Sequence, residues 1–249
     1  MAQTEIVLNV KEALRYFRAA PGDVKAQTLI TQVYEELKTE LQPRYTVKKF
    51  GCRLYAERET QRPAATVLSN GTLFYSRDLA RYLSGCRELY LFAATLGSRV
   101  DIALRRLTFT GVAQGAAAQA VAAALIESYC DACCRELAEQ LPRGKTLKPR
   151  FSPGYGDWKL EEQRLLFPVL DCARTIGLTL TESCMMAPVK SVTAVMGIAE
   201  QQEPLSEPMD GYFANSACAM AEQPALLSDD RPLHDRCGLC GKTDCTFRR

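Results

Sequence analysis

Residues 150–198, RFSPGYGDWKLEEQRLLFPVLDCARTIGLTLTESCMMAPVKSVTAVMGI, are the most informative stretch of the chain. The stretch begins with Arg150, and a Gly-Tyr pair follows at Gly154 and Tyr155. An arginine guanidinium is a planar fork of donors that binds a carboxylate bidentately. Gly154 permits a turn or a close backbone approach, and Tyr155 adds a flat ring with one hydroxyl. This RxxxGY pattern predicts a site for a small carboxylate ligand, with the guanidinium at the mouth of a cleft. A Pro-Gly turn between two elements is the simpler alternative.

Downstream of this pattern, the sequence predicts a helix over Lys159–Thr175 and strands over Leu178–Met185 and Ser191–Ile198. Glu182, in the sequence Leu-Thr-Glu-Ser, is a further candidate for contact with the ligand. The acidic pair Glu161-Glu162 instead fits a solvated helix face.

Upstream of Arg150, hydrophobic periodicity predicts a mixed order of helices and strands. The predicted helices are Lys11–Ala19, Asp23–Leu41, Ser98–Leu107 and an alanine-rich central packing helix over Val112–Leu141. The predicted strands are Tyr45–Glu57, a hairpin within residues 64–76 around Asn70-Gly71, and Glu88–Ala94. Because these elements lack a regular βαβ order, the fold class is predicted to be α+β, with an antiparallel or mixed central sheet and packed helices.

The overall composition is typical of a soluble globular protein. The chain has 249 residues, and 31 basic against 29 acidic residues give a net charge of +2. No basic stripe indicates nucleic acid, and no apolar run is long enough to span a bilayer. The N-terminus lacks a signal-peptide pattern, so we expect a cytoplasmic protein with neither nucleic-acid nor membrane partners.

Eleven cysteines, an odd number at irregular spacing, argue against a disulfide framework. Free cysteine usually packs as a small hydrophobe. We expect this of Cys52, Cys86, Cys172 and Cys184, which lie in apolar segments.

The C-terminal tail carries a different cysteine pattern. Cys237, Cys240 and Cys245 form C-x2-C-x4-C, and His234 precedes them. Two thiolates at this spacing can reach one metal ion, and the third cysteine adds a third ligand. His234 is the nearest candidate for a fourth ligand; Cys218 or the cluster at 130–134 are alternatives. Zinc, an iron–sulfur cluster and a reduced tail without metal all remain open.

The order RxxxGY, amphipathic helix, Gly-Leu-Thr-Leu-Thr-Glu-Ser turn and Pro-interrupted Ser-Val segment resembles the activation domain of cobalamin (vitamin B12)-dependent methionine synthase. Residues 122–141 also resemble the helix before the family's arginine, so the similarity covers roughly residues 85–200. The chain is similar to the short stand-alone form with a cysteine tail. We expect an activation-domain-like core over residues 1–200, with a family-variable part over 1–60, and an extension over 201–249.

The resemblance implies a function in cobalamin chemistry. Family members bind S-adenosylmethionine (AdoMet) for the reductive methylation of cob(II)alamin, which reactivates the synthase. Arg150 matches the family arginine that contacts AdoMet, and Gly154 and Tyr155 match the family's Gly-Tyr, so the resemblance implies all three as candidate AdoMet-binding residues. The family's adjacent tyrosines fall near Pro204 and Leu205, where this chain has no tyrosine. A stand-alone domain implies a cobalamin-bearing methionine synthase or other corrinoid protein as partner, with a flavodoxin- or ferredoxin-like electron donor.

No hydrolase elbow, dinucleotide fingerprint or phosphate loop occurs in the sequence. The chain is too short to hold a complete methionine synthase, so we expect a component of a methyltransferase system. The alternative is a non-catalytic or redox partner of a corrinoid protein, which uses a metal or iron–sulfur site in the tail.

Overall fold

The computed structural model describes residues 6–20, 22–55 and 64–200. Within these residues, no helix is both long enough and apolar enough to cross a membrane.

Seven α-helices and eight strands are present in the described part of the chain. The helices are α1 Val10–Phe17, α2 Val24–Lys38, α3 Arg77–Tyr82, α4 Ser98–Thr110, α5 Val112–Glu139, α6 Gln163–Leu170 and α7 Cys172–Ile176, with a 3-10 turn at Leu160–Glu162 before α6. The strands are β1 Arg44–Tyr55, β2 Ala65–Leu68, β3 Leu73–Tyr75, β4 Glu88–Thr95, β5 Lys145–Leu147, β6 Thr179–Leu180, β7 Met186–Ala187 and β8 Ser191–Glu200.

Six strands form one antiparallel sheet in the order β3-β2-β1-β4-β8-β5. The two short strands β6 and β7 form a separate hairpin. With helices packed about this sheet, the predicted α+β class is confirmed.

Strand β4 lies in the centre of the sheet and is buried on both faces. Phe92 and Ala94 belong to a core formed with α1, α2, α4 and α5. Leu91 and Ala93 belong to a second core, formed with α3, α6 and α7. Because successive strand residues point to opposite faces, an uninterrupted apolar run is what a strand between two cores requires.

Helix α5 is the long central packing helix that the alanine-rich sequence predicts. Its apolar residues are buried along most of its length. A Cβ added at Gly115 would lie 3.0 Å from the Cα of Thr108 on α4. The absence of a side chain at Gly115 therefore allows the backbones of α4 and α5 to approach closely.

Two predictions for the region after Arg150 are wrong. The helix predicted over Lys159–Thr175 is divided into a 3-10 turn, α6 and α7, because Asp171 adopts a left-handed conformation with φ of 54°. The strand predicted over Leu178–Met185 is two residues long, and the chain turns back through Thr181–Cys184 to form β7. The sequence analysis also missed α3 and β5, which are short.

Candidate ligand-binding site around Arg150

Arg150 lies beside the edge of the sheet, one residue before a backbone bridge to β8. The amide of Lys148 donates to the carbonyl of Gly197 at 2.8 Å, and the amide of Phe151 donates to that of Val195 at 2.9 Å. Phe151 is buried in the second core. These contacts on either side of Arg150 fix where its side chain leaves the backbone.

The Arg150 side chain is buried against α5, with only 1% of its surface exposed. Its Nη2 lies 2.9 Å from Oε2 of Glu127 and 2.8 Å from Oδ1 of Asp131. Its Nη1 donates to the thiol of Cys134 at 3.1 Å. The guanidinium is thus held in an internal ion pair, and the expectation of an arginine at the mouth of a cleft is wrong in this respect. Its role as a ligand-binding residue stays a prediction.

Charge pairing keeps Arg150 protonated inside the protein. Burial lowers the pKa of Arg150, but nearby thiols and the carboxylates of Asp131 and Glu127 more than offset burial and raise it. Burial raises the pKa of Cys130 well above its usual value, so this thiol is neutral at pH 7. The three charged side chains together carry a net charge of −1.

One donor of the guanidinium is not satisfied. The Nε of Arg150 is buried and has no hydrogen-bond partner among the described residues. A buried donor left unpaired costs free energy, and a ligand oxygen that accepts from it would recover that cost. The thiol of Cys134 is only a weak acceptor for Nη1.

A hollow of about 190 Å³ lies beside Arg150, between the C-terminal half of α5 and the sheet edge. We call it the edge hollow. It is lined by Cys134, Arg135, Ala138, Leu147, Lys148, Pro149 and Arg150. Arg150 therefore borders a space that could receive part of a small ligand.

The Gly-Tyr part of the RxxxGY pattern forms a tight turn. Gly154 has φ of +93°, and its amide donates to the carbonyl of Trp158 at 2.7 Å. This left-handed backbone conformation favours glycine, which has no Cβ. The Tyr155 ring is half-buried and meets the Phe151 ring edge-on at 5.8 Å. Phe151 thus links the tyrosine to the backbone bridge beside Arg150.

The residues after Tyr155 attach this turn to helix α3, a role that the sequence analysis missed. Asp157 accepts hydrogen bonds from the Ser76 hydroxyl at 2.5 Å and from the amides of Arg77 and Asp78 at 2.9 and 3.1 Å. Carboxylates are preferred at such helix N-termini. A Cβ at Gly156 would lie 2.1 Å from Oδ2 of Asp78. The Gly-Asp sequence after Tyr155 is the pattern from which this close contact with α3 could have been predicted.

Glu162 is part of the same scaffold, contrary to the expectation of a solvated face. Its carboxylate accepts from the indole of the buried Trp158 at 2.7 Å and from the amide of Tyr75 at 3.3 Å. Burial raises the pKa of Glu162. Glu161, next to it, is exposed as expected.

Glu182 lies on the β6–β7 hairpin and is exposed, and its carbonyl accepts from Arg164. Arg150 is buried against α5, so the structure shows Glu182 in a different environment from the guanidinium. Contact between Glu182 and a ligand stays a prediction.

The carboxylates that do contact Arg150 are Glu127 and Asp131, which the sequence analysis did not select. They lie four residues apart on an alanine-rich helix, so they share one helix face. Two acids on the buried face of an alanine-rich helix require a cationic partner. The spacing of these two acids in the sequence could therefore have predicted that they pair with a buried arginine or lysine.

The predicted metal ligands His234, Cys237, Cys240 and Cys245 lie outside the described residues. Within the described ranges, no group of three or more histidine, cysteine or acidic side chains could hold a metal ion. The seven cysteines of those ranges are free and buried, which confirms the packing predicted for Cys52, Cys86, Cys172 and Cys184.

Both the sequence of this region and the fold of the chain are similar to known proteins. Residues 134–207, which include the RxxxGY turn, match the family model of the vitamin B12 dependent methionine synthase activation domain. The crystal structure of the MetH reactivation domain bound to AdoHcy shares the fold, with a TM-score of 0.55 and 18% sequence identity over 80% of this chain and 71% of that chain. No curated protein matches the chain. The sequence match is thus confined to residues 134–207, and the structural similarity shows a shared fold over most of the chain.

Proposed function

We propose that the chain binds AdoMet beside Arg150 and serves as a stand-alone activation module for a cobalamin-dependent methionine synthase or another corrinoid protein. The family match over residues 134–207 and the AdoHcy ligand of the similar MetH reactivation domain support this proposal. The observation that carries it is the unpaired Nε of Arg150, a buried donor on a residue that lines a hollow.

The charges around Arg150 suit an amino-acid ligand. In this proposal, the ligand carboxylate accepts from Nε and Nη2 of Arg150 and takes the position that Glu127 holds on Nη2. Glu127 is more exposed than Asp131, 24% against 10% of the side chain, so Glu127 is the carboxylate that can move. Glu127 would then accept from the ligand ammonium, while Asp131 continues to hold Arg150.

The net charge of the cluster also suits AdoMet. The ligand carries one carboxylate, one ammonium and one sulfonium, so its net charge is positive. Arg150, Glu127 and Asp131 together carry one negative charge, which complements it. In a partly buried site such complementarity is less screened than on the surface.

AdoMet supplies an electrophilic methyl group, and the partner's cobalamin accepts it after one-electron reduction. This chain would contribute position and orientation, which require no acid–base constellation. The turn at Gly154 and Tyr155 would form one side of the site, since the Tyr155 ring packs on Phe151 beside Arg150. The electron would come from a flavodoxin- or ferredoxin-like donor.

The test begins with calorimetric titration of AdoMet into the full chain and into the Arg150→Lys variant. Lysine keeps the positive charge but lacks the fork of donors, so binding should weaken by about 1.5–3 kcal/mol, or roughly tenfold or more. Arg164→Lys is the matched control, because Arg164 contacts the hairpin at the Glu182 carbonyl. Equal affinity of Arg150→Lys and the parent would exclude Arg150 as the carboxylate ligand.

The activation role needs a second assay. Purified chain, AdoMet, a reductant and a cob(II)alamin-loaded methyltransferase should together yield methylcobalamin, and omission of the chain should abolish it. If the parent chain shows no heat with AdoMet and no methylcobalamin forms, Arg150 is only a structural ion pair and the ancestral pocket is vestigial.

The predicted zinc or iron–sulfur site in the tail belongs to the alternative function, a redox or non-catalytic corrinoid-protein partner. No observation among the described residues favours that function.

A further inference from the structure

We propose that Glu127 is a specificity-determining residue that makes the site select AdoMet over S-adenosylhomocysteine (AdoHcy), the product that remains after methyl transfer. This inference rests on the proposed function and names the side chain on which the selectivity depends. Two observations carry it: the uneven number of charges around Arg150, and the different exposure of the two carboxylates that contact it.

The charges around Arg150 do not cancel within the protein. One guanidinium nitrogen, Nη2, lies 2.9 Å from the carboxylate of Glu127 and 2.8 Å from that of Asp131. Only 24% of the Glu127 side chain and 10% of the Asp131 side chain are exposed. A surplus negative charge in such surroundings is costly, because water screens it only in part. The cluster therefore favours a ligand group that carries one positive charge.

The other cations that line the edge hollow do not remove this surplus. The Lys148 ammonium donates to the carbonyls of Tyr82 at 2.8 Å and Ser84 at 2.9 Å. Arg135 is exposed, so solvent and salt screen its charge. A ligand that binds to Arg150 therefore meets the two carboxylates of the cluster as its nearest protein charges.

AdoMet and AdoHcy differ by one charge at this cluster. In the proposed arrangement, the ligand carboxylate binds to Arg150 and the ligand ammonium binds to Glu127, and these two ligand charges cancel each other. The surplus of the cluster then remains for the sulfur, which a short methylene chain joins to the same end of the ligand. The AdoMet sulfonium is positive and neutralises the surplus, whereas the AdoHcy thioether is uncharged and leaves it uncompensated.

Methyl transfer converts the first of these states into the second. The S–CH3 bond breaks, its electron pair stays on the sulfur, and the partner's cobalamin, after its one-electron reduction, supplies the electron pair for the new bond to the methyl group. The ligand thereby loses its sulfonium charge, while the charges of the protein do not change. AdoHcy should therefore dissociate more readily than AdoMet, which frees the site for the next AdoMet.

Glu127, and not Asp131, is the carboxylate on which the selectivity depends. Asp131 is the less exposed of the two and makes the shorter contact with Nη2, so it is the permanent partner of Arg150. Glu127 is more exposed and would face the ligand. Glu127→Gln keeps the size of the side chain and an acceptor for Arg150 but removes the surplus charge, so this variant separates charge from shape.

Calorimetric titration of AdoMet, AdoHcy and sinefungin into the full chain tests the proposal. Sinefungin has a protonated amine in place of the methylated sulfur, so it carries the charge of AdoMet without a transferable methyl group. We expect AdoMet and sinefungin to bind about tenfold more tightly than AdoHcy, because only AdoHcy leaves one charge uncompensated. In Glu127→Gln this ratio should fall to about one. Glu139→Gln, at an exposed acid near the end of the same helix, should keep the ratio of the parent.

The outcomes distinguish this inference from the proposed function. If AdoMet binds but AdoHcy binds equally tightly, or if Glu127→Gln weakens all three ligands by the same factor, Glu127 does not select by charge, and the inference fails while the proposed function stands. Tight binding of AdoMet with weak binding of sinefungin would assign the preference to the methyl group and refute the inference as well. If none of the three ligands binds to the parent, both are wrong. Thermal unfolding of each variant checks that the fold is intact.

Discussion

Nη2 of Arg150 lies 2.8 Å from Oδ1 of Asp131, although the two residues come from an edge segment of the sheet and from the middle of α5. This contact joins the RxxxGY turn to the central helix. Because Glu127 contacts the same nitrogen at 2.9 Å, one arginine is shared by two carboxylates.

Replacement of Arg150 by methionine should strongly destabilise the protein. The variant keeps the volume of the side chain but leaves Glu127 and Asp131 without their cationic partner. Loss of one side of a buried ion pair costs about 3–5 kcal/mol. Urea denaturation should show a reduction of this size in the free energy of unfolding. Arg174→Met, at an arginine whose side chain is 82% exposed, should change it by less than about 0.5 kcal/mol. A similar small change in Arg150→Met would contradict the structural role of the ion pair.

Glu127→Gln should weaken AdoMet binding more than it changes stability. Glutamine can still accept from Arg150, but it no longer attracts the ligand ammonium. The expected loss in affinity is about 1.5–3 kcal/mol, measured by calorimetry. Glu139→Gln, near the C-terminal end of α5, is the control. If both variants bind AdoMet as tightly as the parent, the ammonium is bound elsewhere.

Asp157→Asn should make the stability of the protein less dependent on acid pH. Burial raises the pKa of Asp157, but hydrogen bonds from Ser76 and from the amides of Asp78 and Arg77 outweigh burial, and the net pKa is lowered. An acid whose pKa is lower in the folded state stabilises the fold above its unfolded pKa of about 4, and this stabilisation is lost as the pH falls towards the folded pKa.

The parent should therefore exceed Asp157→Asn in stability by about 1 kcal/mol at pH 7, the usual contribution of a helix cap. The stabilities of the two proteins should converge as the pH falls. Thermal melting between pH 7 and pH 3 measures the difference, and a constant difference over this range would argue against Asp157 as the titrating group.

Gly156→Ala should be more destabilising than Gly177→Ala. Both glycines have positive φ, +55° and +67°, so both variants incur backbone strain of about 1 kcal/mol. Only at Gly156 does the new Cβ meet an obstacle, since Oδ2 of Asp78 would lie 2.1 Å away. Relief of that clash must disturb the contact between Asp78 and the amide of Asp157. The difference between the two midpoints of urea unfolding isolates the clash, and equal midpoints would refute it.

Alkylation of the native protein should divide its cysteines into two groups. Burial raises the pKa of Cys52 to about 11 and those of Cys133 and Cys172 to about 12, so these thiols are protonated as well as inaccessible at pH 8. Peptide mapping should find them unlabelled until denaturant is added.

The tail cysteines test the metal prediction in the same experiment. If Cys237, Cys240 and Cys245 bind a metal ion, their labelling should increase after treatment with a chelator, with release of the metal measured by mass spectrometry. Labelling that is complete before the chelator would count against a metal site.

Much of the fold could be predicted because it depends on local patterns. The apolar run at Glu88–Ala94 indicated a buried strand, and the alanine-rich stretch from Val112 indicated the central helix. The division of the helix after Arg150 was not predicted. Its cause is one left-handed residue, Asp171, and no periodicity of apolar side chains reveals a single backbone conformation.

The sequence by itself predicted the α+β fold class and the arginine around which the candidate site is built, because both follow from local patterns and the RxxxGY turn is a contiguous motif. Only the tertiary structure decided what surrounds that arginine. Glu127 and Asp131 precede Arg150 by 23 and 19 residues, and they reach it because β8 fixes the edge segment beside α5. Burial and charge pairing depend on chain segments that meet only in the folded state. The sequence therefore predicted a guanidinium, and folding made it an internal ion pair with one donor unpaired.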